Sequence, residues 1–317
     1  MKFAIFDHPV FVQALCETYR MQELAALDPA APGYLPFYRS RLPFKRKQAF
    51  ALPFTFYRTA DDLRERWRGD QWAQVCAYSR RQGINITLQT VGELGLGEGS
   101  HSADNPVLSL GDGDVAAGYS RNLRSNLKKE WNKCHRLGVR VAFSDDEADL
   151  RQFYRVLATQ YVREHRMVFQ PYALYCRLLQ APLTGKLLVA RTPEGQVVGG
   201  LILIADQGVL HYCWGARSQQ ANLAIGTVLI DHAIRFAKQA GFTHFDFGST
   251  PASDHALLDF KLRWGADKLP VWRYHTLQLP ADIDLNSSYS GPRRWFSKLP
   301  VPVAERLMPH VVPWLLR

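Results

Sequence analysis

In the second half of the chain, apolar positions recur with two different periods. "LRQFYRVLATQYVREH" from Leu150 and "YALYCRLLQA" from Tyr172 repeat every three to four residues, which predicts two helices. Three short apolar runs follow, "KLLVAR", "QVVGGLILIA" and "VLHYCWGA". The turns "TPEG" and "DQG" separate them, so they read as meandering antiparallel strands. A helix is predicted from Ala224 to Ala240, with Gly241 as its stop. "THFDFG" reads as a buried strand, "HALLDFKLRWG" as a helix and "LPVWRYHTLQL" as a last strand; "GVRVAF" adds a strand upstream. The order is strand, two helices, three strands, helix, strand, helix, strand, which describes a mixed, mostly antiparallel α/β sheet flanked by helices.

The first half is less regular. "QAFALPFTFY", "INITLQTV" and "NPVLSL" read as strands, with "DDLRERWRGDQWAQVCAYSRRQG" as one helix between the first two. These pieces suit a second, degenerate copy of the same sheet, although no sequence repeat supports it. "GLGEGS" at Gly95 to Ser100 lacks the Lys-Ser/Thr of a phosphate loop and reads as a plain loop. Between the halves lies "YSRNLRSNLKKEWNKCHRLG". At helical spacing Tyr119, Leu123, Leu127, Trp131, Cys134 and Leu137 share one face, while Arg121, Arg124, Lys128, Lys129, Lys133 and Arg136 cover the other against Glu130. Either this is an ordinary solvated face or it meets a polyanion.

Composition narrows the class. Hydrophobic content of 47% and charged content of 21% are globular values. A formal charge of +10 favours nucleic acid, anionic lipid or phosphorylated substrates. The 5 cysteines form no CxxC pair, which argues against a disulfide framework and for a reducing compartment. The histidines show no HExxH spacing, so no metal site is expected. "MKFAIFDHPVFVQAL" is a poor signal peptide, and no apolar run approaches the roughly 20 residues of a spanning helix. A cytoplasmic protein is expected. The tail "GPRRWFSKLPVPVAERLMPHVVPWLLR" mixes Arg293, Arg294 and Lys298 with Trp295, Phe296, Trp314, Leu315 and Leu316, which suits peripheral contact with an anionic membrane at its inner face. The alternative is packing onto the second half, and the prolines argue against one long amphipathic helix.

Candidate chemistry concentrates in "FDFGSTPASDHALLDFKLRWGA", where Asp246 interrupts one apolar run and Lys261 another. This stretch resembles the Asp-x-Gly strand, Phe-Lys helix and Gly-Ala close of the Fem-type aminoacyltransferases and FemAB-like acetyltransferases, which carry two GNAT-like domains in tandem. The basic helix "RNLRSNLKKEWNKCHRLGV" and the strands "LPFYRSR" and "FALPFTFY" are similar to parts of the same family. The resemblance covers roughly residues 34 to 280. It departs after "LPFTFY", where "RTADD" stands in place of a glycine pair. By resemblance, residues 1–117 form a degenerate first GNAT-like domain, 118–280 the acyltransferase domain and 281–317 a tail.

The resemblance implies that "VLHYCWGA" and "THFDFG" splay apart to admit an acyl donor, acetyl-CoA or aminoacyl-tRNA. Ala224, Ile225, Gly226 and Thr227 would bind it, although only Gly226 survives from the usual small-residue pattern of a coenzyme A loop. Lys261 would place a cation near the reacting carbonyl, or else snorkel to water. Asp246 would orient the acceptor amine or hold Lys261, or else cap the loop from Gly248 to Ser253. Tyr212 and Trp214, two residues apart and so on one strand face, would line the acyl slot with Phe260, or else pack in the core. His255 reads as a base or as the first turn of its helix. Arg121, Arg124 and Lys128 would hold a phosphorylated acceptor or tRNA. The expected activity is acyl transfer to an amine or hydroxyl of a phosphorylated or lipid-linked cell-envelope saccharide or peptidoglycan-type precursor, within polysaccharide biosynthesis. The rival is a binding module with a decayed donor site. A plain nucleic-acid-binding protein is disfavoured, since no RRM, KH or C2H2 pattern is present.

Overall fold

The computed structural model describes residues 8–24, 26, 34–42, 47–51, 58–66, 70–97, 99–180, 182–219, 223–277 and 296–315. The first half comprises α1 (Pro9–Thr18), β1 (Met21–Leu24), β2 (Phe37–Ser40), β3 (Gln48–Phe50), β4 (Arg58–Thr59), α2 (Ala60–Arg66), α3 (Gln71–Gln82), β5 (Asn85–Val91) and β6 (Gly99–Ser109). The single helix expected over 61–83 is therefore two. The next elements are α4 (Arg121–Arg136), β7 (Arg140–Ser144), α5 (Glu147–Gln160), α6 (Tyr172–Leu178), β8 (Gly185–Arg191), β9 (Val197–Asp206), β10 (Val209–Arg217) and α7 (Ile225–Gln239). The chain closes with β11 (His244–Asp246), β12 (Thr250–Pro251), α8 (His255–Leu262), β13 (Asp267–His275) and α9 (Val301–Val311). A single π-helical turn, Tyr161–His165, extends α5.

The two halves of the chain do not keep separate sheets. One sheet runs β1-β2-β3-β5-β13-β6-β11-β10-β9-β8-β7, with β4 on β5 and β12 on β6. Among the described pairings β10–β11, β3–β5 and β4–β5 are parallel and the others antiparallel. The joint is β13, whose Val271 stands opposite Val91 of β5 on one side and Ala103 of β6 on the other. β6 reaches well beyond the predicted "NPVLSL", taking in the polar "GSHSAD", because β13 pairs along most of its length.

Helices cover both faces. On one, Phe11 and Leu15 of α1 share a core with Phe153 and Leu157 of α5, Tyr175 of α6 and Met308 of α9. On the other, Leu123, Leu127 and Cys134 of α4 pack with Val228, Leu229 and Ile234 of α7 and with Phe245. A third cluster, with Leu63, Val75, Ile86 and Leu88, belongs to the first half. The apolar stripe of α4 thus does what its period predicts, except that Leu137 lies past the helix end and is exposed. The tail packs on the protein: Phe296, Ala304, Met308 and Val312 are buried. Those apolar groups are not available to a bilayer while so packed, and Arg293, Arg294, Trp295 and Leu316 lie outside the described residues. Among the described residues no helix is long and apolar enough to cross a membrane.

Candidate active site

β10 and β11 run side by side for only three residues, Val209–His211 against His244–Asp246. β10 then continues to Arg217, while the segment after β11 turns away from it at Gly248, whose φ of 70° is a glycine conformation. The strands splay as expected, and a cavity of about 1320 Å³ opens there. Asp246, Phe260, Lys261, Tyr212, Trp214, Ala224, Gly226 and Thr227 all line it.

Asp246 sits at the floor, 5% exposed, and its oxygens are occupied. Oδ1 accepts from Asn105 Nδ2 at 3.0 Å and from the Gly248 N–H at 2.8 Å, and Oδ2 lies 2.8 Å from His211 Nδ1. Burial pushes its carboxyl up, but the bonds and charge of His211 with the Gly248 and Asn105 donors outweigh this and hold it below the usual carboxylate range. Asp246 is therefore committed to the fold around the site. The Gly248 N–H bond is the turn-capping contact that its position allows.

Lys261 does not snorkel. It is 6% exposed, and its Nζ donates to the carbonyls of Gly248 at 2.8 Å and Ser249 at 3.3 Å. The Gly248 residue therefore links the two oddities of the sequence, giving its N–H to Asp246 and its carbonyl to Lys261. Burial pulls the ammonium down to about 8, against the upward pull of Asp246 and Asp254. An ammonium has three donors, so two carbonyls leave one N–H for a substrate oxygen. Leu258 and Trp264 bury the α8 segment, whereas Leu257 is exposed at the cavity rim rather than holding the helix. His255 is the exposed first residue of α8 and is not part of the lining.

Tyr212 and Trp214 do not share a face. Their partners on β9 are the consecutive Leu203 and Ile202, so Cys213 is the extra residue of a β-bulge. Tyr212 packs with the α4–α7 core and Trp214 with the α5–α6 core. The bulge lets both residues reach the splayed gap. Gly215 is needed beside it, because a Cβ there would meet the Tyr212 hydroxyl at 2.3 Å.

At the start of α7, the side chain of Ile225 is fully buried and belongs to the core, so a donor would meet Ala224, Gly226 and Thr227. The Ala224 N–H already donates to Glu130 Oε2 of α4 at 2.9 Å. A carboxylate thus stands where an anionic donor group was expected. Arg121, Arg124 and Lys128 are exposed on α4 and do not line the cavity. α4 nevertheless starts beside α8, with the Ser120 N–H on the Arg263 carbonyl at 2.8 Å, and passes the start of α7 at Glu130. His211, Asp206 and Asn105 carry no signal in the sequence, since only strand register brings them together, and Glu130 stands out there only as the acid on a basic face.

Residues 121–261, which hold α4, the splayed strands and Lys261, match the family described as acetyltransferase (GNAT) domain. This part of the chain is thus similar to a GNAT acetyltransferase domain. No curated protein sequence matches it. Among solved structures, L-PGS from Bacillus licheniformis is similar at a TM-score of 0.61 and 12% identity, over 91% of this chain and 93% of that one. FemX is similar at 0.58 and 12% identity, over 84% and 95%. At such identities the likeness is one of fold, and it extends well beyond the GNAT match on both sides. The matched range includes both sides of the gap between β10 and β11 and the buried cation Lys261.

Proposed function

We propose that this GNAT domain moves an aminoacyl or acetyl group onto an amine or hydroxyl of a cell-envelope saccharide or peptidoglycan-type precursor, with Lys261 as the catalytic cation. The carrying observation is a desolvated ammonium, fixed by two carbonyls, on the floor of the splayed-strand cavity. The acceptor nitrogen or oxygen attacks the donor carbonyl, and the new bond forms as electrons shift onto the carbonyl oxygen. The remaining Lys261 N–H stabilises that oxyanion, which then collapses to expel the thiolate or ribose oxygen, and the leaving group takes up the proton lost by the nucleophile. A cation that is buried and preorganised stabilises such charge far better than one in water.

The basic face of α4 along this region supports a polyanionic donor such as aminoacyl-tRNA, and Glu130 on the Ala224 N–H disfavours a pyrophosphate at that point. A second reading, acyl-coenzyme A, is favoured by the small residues Ala224 and Gly226 in the lining. Incubation with charged tRNA or acetyl-CoA and amine acceptors, scored by amide formation and thiol release, separates the two donors. With the productive pair, Lys261→Met lowers kcat by about 10²-fold or more at unchanged donor affinity. Lys261→Arg does not restore it fully, because a planar fork replaces a point charge. Near-normal turnover in the Met variant removes Lys261 from the mechanism, and no transfer from either donor by the wild type leaves only a binding module.

A further inference from the structure

His211 of β10 lines the cavity floor, 3% exposed, between two buried carboxylates. Asp246 of β11 holds its Nδ1 at 2.8 Å, and Asp206 at the end of β9 stands 3.9 Å from its Nε2, a charge contact longer than a hydrogen bond. Two carboxylates facing the two nitrogens of one ring match an imidazolium, which carries a proton on each. Below this group the connections are continuous: His211 to Asp246, Asp246 to the Gly248 N–H, and the Gly248 carbonyl to Lys261 Nζ.

We propose that His211 is a positioning residue, charged at neutral pH, whose imidazolium balances Asp246 and so sets the proton affinity of Lys261. Without it, Asp246 would present an uncompensated charge to the Lys261 ammonium and make its proton harder to remove. With it, the floor holds two carboxylates and two cations, and the lysine stays poised near neutrality. The other groups facing this cluster are Asn105 of β6, which bonds Asp246, the Cys213 thiol, which donates to the His211 carbonyl at 3.8 Å, and Asp254 at the start of α8. Of these, Asp254 acts on Lys261 directly and independently of His211. Burial pulls the imidazole down, yet the charges of Asp206 and Asp246 and the bond to Asp246 overcome this and carry it up to about 9, which agrees with the geometry.

The significance for catalysis rests on the reading of Lys261 as the acyl-transfer cation, but the titration itself does not. It is therefore tested without donor or acceptor. In protein labelled with 15N-histidine, both ring nitrogens of His211 are expected to stay protonated from pH 6 to about 8; a neutral imidazole at pH 7 would overturn the proposal. Competitive acetic anhydride labelling of Lys261, read by mass spectrometry across pH, gives its pKa directly. His211→Gln keeps an N–H for Asp246 and removes the charge, and the Lys261 midpoint is expected to rise by about one unit. An unchanged midpoint in a folded His211→Gln protein refutes the charge-balancing role. Should that variant not fold, Asp206→Asn serves instead: with one carboxylate gone, the His211 15N titration is expected to move down by about one unit or more, and no movement overturns the clamp. A Lys261 midpoint that rises while Lys261→Met retains full turnover confirms the titration and sinks the acyl-transfer role alone.

Discussion

Two buried aspartates, Asp231 of α7 and Asp246 of β11, are satisfied in nearly the same way and do different work. Asp231 is fully buried and accepts from the Tyr119 hydroxyl at 3.3 Å, the Trp131 indole at 2.8 Å and Arg235 Nε at 2.9 Å. Asp246 accepts from a side-chain amide, a backbone N–H and a ring nitrogen. Each therefore has three donors, one of them from a basic side chain. The difference lies in what the donors are attached to. Those of Asp231 belong to α4, its leading residue Tyr119 and the surface of α7, so that carboxylate clasps the basic helix to the domain. Those of Asp246 include the turn whose carbonyl holds Lys261. Burial and hydrogen-bond satisfaction alone do not separate the two; the next atom along the chain of contacts does.

The largest expected effect separates the two carboxylates by stability. Asp246→Ala strands His211 in the interior and costs roughly 3–5 kcal/mol. Asp231→Ala costs less, about 1–3 kcal/mol, because the Arg235 side chain is 46% exposed and recovers water. Urea denaturation at pH 7 measures both, and equal losses would break the contrast. Next comes the helix that Asp231 clasps. Replacing Arg121, Arg124 and Lys128 together by Ala weakens polyanion binding by about 100-fold at low salt and leaves the unfolding midpoint in place. A variant that still binds charged tRNA normally reduces the face of α4 to solvated surface.

A smaller effect is the pH dependence around Asp246. The His211 proton affinity is higher in the folded protein, so folded chains bind more protons above pH 6.5 and stability falls with rising pH. Lys261 is shifted the other way, to about 8, and adds stability with rising pH only above that point. Stability is therefore expected to drop by about 2 kcal/mol between pH 6.5 and 8, to stay flat to about pH 9 and to rise again above it. Denaturation at closely spaced pH values in His211→Gln should abolish the drop; a drop that persists assigns it elsewhere. The smallest effect concerns the rim. Glu130→Ala frees the Ala224 N–H and raises affinity for coenzyme A by on the order of tenfold, measured by calorimetry. No change would mean that Glu130 does not guard that position.

The second-half elements and the basic helix were legible because their apolar positions follow one period without interruption. Lys261 and Asp246 were legible because each stands out of place in such a run. What stayed hidden depends on register. A bulge at Cys213 turns Tyr212 and Trp214 to opposite faces, and nothing in "HYCWG" announces one extra residue. His211 carries no local signal, since its partners come from β9 and β11 and meet it only when both strands pair with β10. The start of β6 has no sequence signal because "GSHSAD" lacks an apolar alternation; its pairing comes from β13, far away in sequence. Gly99 there also makes room for the Tyr274 ring, which a Cβ would meet at 2.6 Å.

The placement of β13 between β5 and β6 has a kinetic consequence. During synthesis, β5 and β6 emerge early, yet the strand that joins them arrives some 160 residues later, from Asp267 onward. Until then each presents an open edge to its surroundings, a template for pairing with other nascent chains. The last step of assembly is therefore a long-range insertion that zips two partly folded halves together, and a ribosome stalled before that strand would release a molecule with two unsatisfied edges and a strong tendency to aggregate.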